Sequence, residues 1–317
     1  MKLQRFTEYL LANRLRAVLL LAVFSLIPVV GMLGVLFAGF VTLRKGAVEG
    51  AMMTVAATLP IVIKFLLMTA GHDSPLSPMV LWTAISFLVI CNTLTWLLAV
   101  LLYRQMTWSA ILQLAALVGV LVISVVHLAY PDVADWWGTQ LTQLTASASE
   151  SAASALSGVM QDSAKLPSEA QIEAINEAKN YASGMIVMFL LLNAVMQLIV
   201  ARWWQAVLYA PGMLRRELHH IRLSNLAGVL FLLSQVLAWQ SNSVVLDILP
   251  ILYLLFVCAG LSVIHYFLGL MVSPTRWFWV VLLYVMIYYT MPASMMLISL
   301  VALMDIWFDL RKRLRKI

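Results

Sequence analysis

Long apolar runs alternate with short polar joints along most of this chain. The runs cover residues 17–43, 46–70, 79–103, 107–130, 183–203, 226–239, 244–271 and 277–307. Most are near the length that a helix needs to cross a hydrocarbon core, about 20 residues at roughly 1.5 Å each. The pattern predicts an all-α fold, a polytopic transmembrane helical bundle with about 8–10 membrane segments. The last run is too long for one straight crossing, and the first, if it crossed once as a tilted helix, would put Arg14 and Arg16 on one side and Arg44 and Lys45 on the other. Residues 277–307 would extend about 46 Å through a core of about 30 Å. Each of these two runs carries a proline near its middle, Pro28 and Pro292. Proline lacks the N–H that continues a helix, so both runs read as hairpins of two short helices.

One long region departs from this pattern. Residues 131–181 carry Asp132, Asp135, Glu150, Asp162, Glu169, Glu173 and Glu177 against Lys165 and Lys179, a net charge of −5. Its first part is rich in Ala, Ser, Thr and Gln and permits a helix. Leu166-Pro167 stops that helix, and Ser168 followed by Gln171 forms a capping box that starts another. The second helix should run unbroken into the span 183–203. The expectation is an acidic extracytoplasmic helical hairpin; a loosely ordered loop is the alternative.

The polar joint ARWWQAVLYAPGMLRRELHHIRLS at 201–224 is strongly basic. Trp203 and Trp204 beside Arg202 read as an anchor at the membrane–water boundary. Pro211-Gly212 ends one helix. The segment 207–223 then lies along the cytoplasmic surface, with Trp203, Trp204, Arg215, Arg216 and Arg222 as docking groups for the interface or for a partner.

Composition sharpens the class. The 317 residues are 63% hydrophobic and 11% charged, where a soluble domain carries about 25% charged residues. The chain reads as one integral membrane domain, 1–317. Its net charge of +6 does not call for nucleic acid, because Lys and Arg gather on the cytoplasmic side of membrane proteins. With both terminal hairpins in place, seventeen of the 20 Lys and Arg fall on one side. Both termini are then cytoplasmic. The tail Arg311, Lys312, Arg313, Arg315 and Lys316 suits the anionic lipids of the inner leaflet.

The stretch at 201–224, the run SLIPVVGMLGVLFAGFVTLRKGAVEG at 25–50 and the close LVALMDIWFDLRKR at 300–313 resemble the YybS-like family of predicted bacterial inner-membrane proteins, a domain of unknown function. The resemblance spans most of the chain apart from the acidic region, and WWQ…PG…R.E…R is its most specific part. That family is similar to the substrate-binding S components of energy-coupling-factor transporters and to the rod-shape protein MreD. The resemblance implies a compact helical bundle with a small-molecule site, and brings no functional residues with it.

A few polar residues interrupt the apolar runs. Lys64 is the least expected. A charge within a span is costly and is buried in protein, paired, or stretched to the interface. It reads either as a contact for an anionic substrate group or as a snorkelling lysine. Asp247 is the opposite charge at similar depth, or else an interfacial carboxylate. His265, eighteen residues on, shares a helix face with Asp247 and reads as a site residue or a hydrogen-bonded core histidine. Asn92, with Thr93 and Thr95, and the pair Asn193 and Gln197 four apart, read as cavity lining or as bonds between helices. His127 reads as interfacial, and Cys91 and Cys258 as small core residues. Asp305 and Asp309 read as local partners of the basic tail. No nucleotide loop, zinc helix, catalytic triad or heme motif is present, so no enzyme activity and no cofactor or metal is expected. Two functions stand: a transporter-like subunit binding or translocating a small-molecule or lipid-linked substrate at Lys64, Asp247, His265, Asn92, Asn193 and Gln197, or a non-transporting scaffold of a cell-envelope or cell-shape complex.

Overall fold

The computed structural model describes residues 7–10, 12–27, 30–70, 78–155, 169–271, 275–291 and 293–314. Among them there is no strand. The helices are α1 (Arg14–Ser25), α2 (Val30–Lys45), α3 (Ala47–Ala70), α4 (Pro78–Tyr103), α5 (Trp108–Ala129), α6 (Val133–Ala155), α7 (Glu169–Ala178), α8 (Ala182–Tyr209), α9 (Met213–Leu218), α10 (Asn225–Trp239), α11 (Ser243–Leu270), α12 (Arg276–Tyr289), α13 (Ala293–Phe308) and α14 (Leu310–Leu314). A 3-10 turn, Lys179–Tyr181, joins α7 to α8, so the expected continuous helix is continuous but for that turn.

Five stretches are long and apolar enough to span a membrane: Ala47–Met68, Val80–Tyr103, Trp108–Ala129, Glu169–Tyr209 and Ser243–Leu270. α10, α12 and α13 are apolar but shorter. The protein is an all-α polytopic membrane protein.

The described chain divides into two compact units. The first takes in Met1–Leu114, Phe189–Arg222 and Leu261–Leu282. Here α1 and α2 form the anticipated hairpin, although Pro28 itself lies outside the described residues. Leu21 on α1 meets Gly34 on α2, where an added Cβ would lie 3.7 Å from the leucine; these positions are equidistant from the bend. The ion pair Arg14–Glu49 ties the start of α1 to the start of α3. Leu10, Ala17, Leu21, Phe37, Phe40, Val41 and Met53 form a buried core against which Trp204 packs. Small residues let the backbones close up, since lipid gives helices no hydrophobic reason to associate. A Cβ on Gly50 would lie 1.9 Å from Thr42 Oγ1.

The second unit takes in Ala115–Met188, Leu223–Gly260 and Leu283–Ile317. Phe231 of α10 stacks on Phe256 of α11 at 4.1 Å between ring centroids. A Cβ on Gly260 would lie 2.1 Å from the Ile298 carbonyl oxygen, so α11 and α13 touch backbone to backbone. The Ser294 hydroxyl donates to the Ile287 carbonyl at 3.4 Å. Seven residues of straight helix rise about 10 Å, so the chain bends sharply here; Pro292 lies outside the described residues. The tail carboxylates are paired locally, Arg311 with Asp305 at 3.3 Å and Lys312 with Asp309 at 2.9 Å.

α6 and α7 also belong to the second unit and run antiparallel. Lys179 Nζ donates to Asp135 at 2.8 Å and Trp137 Nε1 to Ser183 Oγ at 2.9 Å. The base of the acidic hairpin is thus in place. Its expected turn, with Leu166-Pro167 and the Ser168 cap, lies outside the described residues.

Candidate functional site

The first unit contains a cavity of about 360 Å³ among α1, α2, α3, α4 and α8. Lys64, Asn92, Asn193 and Gln197 all line it, so four of the six residues singled out in the sequence meet in one place. Ser25, Val35, Phe65, Phe87 and Leu88 supply apolar and small walls. Leu26, Ile27, Lys64 and Phe87 are exposed at the rim.

The polar groups inside are ordered by one another. Asn92 Nδ2 donates to Thr58 Oγ1 at 2.9 Å, which ties α4 to α3. The Thr95 hydroxyl donates to Gln197 Oε1 at 2.8 Å. Gln197 Nε2 donates to Asn193 Oδ1 at 2.6 Å, and the Cys91 thiol donates to the same oxygen at 3.0 Å. Four side chains on α4 and α8 thereby hold one another's orientation. Asn193 Nδ2 is left over: among the described residues it has no hydrogen-bond partner, nor has the Lys64 ammonium. The helix-bonding and cavity-lining readings are therefore not alternatives here, because the same amides do both. Thr58, Cys91 and Thr95 complete the network. Only Thr95, polar within an apolar run, was visible beforehand; the Cys91 thiol gave no sign of being a donor.

Asp247 and His265 are placed differently. Asp247 is buried in the second unit. Its Oδ2 lies 3.0 Å from Nε2 of buried His127, and its Oδ1 accepts from the Gly184 N–H at 2.6 Å. Both carboxylate oxygens are taken by these two groups, and neither by Lys64. His127, read as an interfacial residue, is packed between helices and paired: its side chain is 7% exposed. Gly184 follows the 3-10 turn, where the regular helical ladder is interrupted and an amide donor is freed. A Cβ on Gly184 would lie 1.7 Å from the Asp247 carbonyl oxygen. Gly184→Ala should therefore push α8 off α11 and lower stability by about 2 kcal/mol, as overpacking does; a thermal melt in detergent reads this directly. His265 Nδ1 is bonded to its own helix, 2.9 Å from the Leu261 carbonyl oxygen, and it does not line the cavity.

The basic joint is knotted internally. Glu217 is the single acid between Arg202 and Arg222. Its carboxylate accepts from Arg202 Nε at 3.1 Å, Arg202 Nη2 at 2.5 Å and Trp108 Nε1 at 2.9 Å. Arg202 also donates to Gln205, which in turn donates to the Leu43 carbonyl at 3.2 Å. Burial pushes the Glu217 carboxyl up, but the bonds from Arg202 and Trp108 and the charge of Arg202 outweigh it and hold the pKa below its ordinary 4.5. Arg215 donates to the Gly269 carbonyl at 3.3 Å. Arg216 and Arg222 are exposed. The Trp pair is split: Trp203 is exposed, while Trp204 packs on Phe40 at 5.6 Å and donates to Thr7.

Among the described residues, no group of His, Cys, Asp and Glu has the geometry to hold a metal ion. No family model, curated protein or solved structure matches the chain.

Proposed function

We propose that this protein is a substrate-binding or translocating subunit of the bacterial inner membrane, with the cavity around Lys64 as its site. The observation that supports this reading most is the convergence of Lys64, Asn92, Asn193 and Gln197 on one cavity. Ligand sites are mostly apolar hollows of about 300–1,000 Å³ with a few oriented polar groups. The Lys64 ammonium offers donors and positive charge, and Asn193 Nδ2 offers a further donor. A ligand with an anionic group and hydrogen-bonding oxygens fits that set. Asp247 and His265 serve elsewhere in the protein in this reading. The resemblance to the YybS-like family, itself similar to S components as well as to MreD, is compatible with this reading, and the positive-inside rule puts the Arg14, Arg44 and Arg202 end in the cytoplasm.

Native mass spectrometry of protein released gently from its membrane tests the site. A bound small mass should be present in the wild type and fall about tenfold in Lys64→Gln, as loss of a charge-assisted hydrogen bond implies. It should also fall in Asn193→Leu and persist in Arg216→Gln. Equal occupancy in all four would remove the site.

A second reading, a non-transporting scaffold, draws on α12. None of its residues is buried, and Trp277, Phe278, Trp279, Tyr284, Tyr288 and Tyr289 are exposed on it. A helix so aromatic and unpacked suits a partner within the membrane. A stable cross-linked partner together with an empty cavity would favour the scaffold.

A further inference from the structure

Beside the cavity, on the same unit, runs an apolar groove of about 560 Å³ lined by Leu26, Leu59, Pro60, Ile63, Leu67 and Met68. Lys64 lines it too and, among the described residues, is its only polar side chain. Leu26 and Lys64 are thus common to both hollows. We propose that the two form one site for an anionic glycerophospholipid, its phosphate at Lys64 and its acyl tail in the groove, entering sideways from the bilayer. This rests on the reading of the cavity as a ligand site and names the class of ligand.

Three features carry it. The first is the lining of the groove. Leu59, Ile63 and Leu67 recur every four residues on α3, so they form one stripe. All three are exposed although the span is apolar, so this stripe faces whatever hydrocarbon the surroundings supply. A water-soluble ligand would use the cavity and leave the stripe idle, whereas an acyl chain uses both.

The second is depth. The span ends at Met68, one helical turn from Lys64, or about 6 Å. Leu59 lies on the other side of Lys64, about 7.5 Å deeper. Leu67 and Met68 flank the charge on the boundary side, and Ile63, Pro60 and Leu59 lead from it toward the bilayer centre, which is the order of a lipid's head group and tail.

The third is charge and donor chemistry. The ammonium is a point charge with three donors and no acceptor, and among the described residues no arginine lines either hollow. Such a group matches a singly charged phosphodiester without demanding a bidentate partner. Behind Lys64, Asn193 Nδ2 and the Asn92 side chain suit a head group that carries hydroxyls.

Wild-type protein in nanodiscs of equal phosphatidylglycerol and phosphatidylcholine should retain phosphatidylglycerol in native mass spectra. Lys64→Gln should lower that retention about tenfold, and Lys64→Arg should keep it. Ile63→Trp, which fills the groove from an exposed position, should abolish retention while leaving the melting temperature unchanged. Equal retention of the two lipids would overturn the proposal. So would binding of the soluble head group glycerophosphoglycerol with no effect of Ile63→Trp, a result that keeps the cavity as a site for water-soluble anions. Retention of neither probe would overturn both the lipid proposal and the cavity reading.

Discussion

Asp247→Ala should lower the stability of the folded protein by about 2–5 kcal/mol, since losing the shared acceptor leaves two buried hydrogen-bonding groups unsatisfied at about 1–3 kcal/mol each. A single hydrogen bond between membrane helices contributes only about 0.6 kcal/mol on average, so an ordinary helix-to-helix contact would not produce this. Asp247 is different because it satisfies two groups at once, the His127 ring and the Gly184 amide, at 2% exposure. Alanine leaves both without a partner in a place that water does not reach. Asp247→Asn keeps an acceptor for Gly184 and should lose about half as much. Reversible unfolding in mixed micelles separates the variants. A loss below about 1 kcal/mol for alanine would show that the carboxylate is not what joins α5, α8 and α11. In a double-mutant cycle, His127→Ala should show strong coupling to Asp247→Ala, since both remove the same bond.

Glu217→Ala should lower stability by about 2–3 kcal/mol, because Arg202 would keep its charge at 16% exposure with Gln205 as its remaining side-chain oxygen partner. The Trp108 indole loses its acceptor in the same step. Limited proteolysis should then cut within 207–222, where the wild type resists. Glu217→Gln keeps the Trp108 bond and should fall between the two. The pH dependence has a definite sign. The folded carboxyl has a pKa below its ordinary 4.5, so the contribution of this group is complete above that value. It is lost as pH falls through the folded pKa. Acid should therefore loosen the joint in the wild type and do little more in Glu217→Ala. Equal acid sensitivity in both would locate the titration elsewhere.

The stretches most legible in the chain were those governed by hydropathy. The spans, the bend near Pro28, the hairpin base at 131–155 and 169–181 and the break after Tyr289 all follow from local rules, namely span length, proline's missing donor and net polarity. Lys64, Asn92, Asn193 and Gln197 stood out because a polar group within an apolar run is rare. Their meeting in one cavity could not be read off, because it depends on how α3, α4 and α8 rotate about their axes. The role of His127 was missed for a related reason. It sits near the end of α5, where a histidine at the interface is unremarkable, and its partner lies 120 positions away. Gly184 carried no signal at all, since its importance comes from the absence of a side chain where α11 passes.

What the amino-acid order by itself determined was class: a membrane protein, all helix, with most of its charges in the joints and a few, such as Lys64 and Asp247, within the spans. Hydrocarbon imposes that outcome on any chain so patterned, because each backbone polar group must be satisfied within its own helix. Only the tertiary structure decided that Asp247 serves His127 and Gly184, that Glu217 closes the basic joint, and that Lys64 stands beside an apolar groove. Pairing between distant helices is set by close packing at residues such as Gly50, Gly184 and Gly260, and hydropathy carries no record of which small residue faces which neighbour.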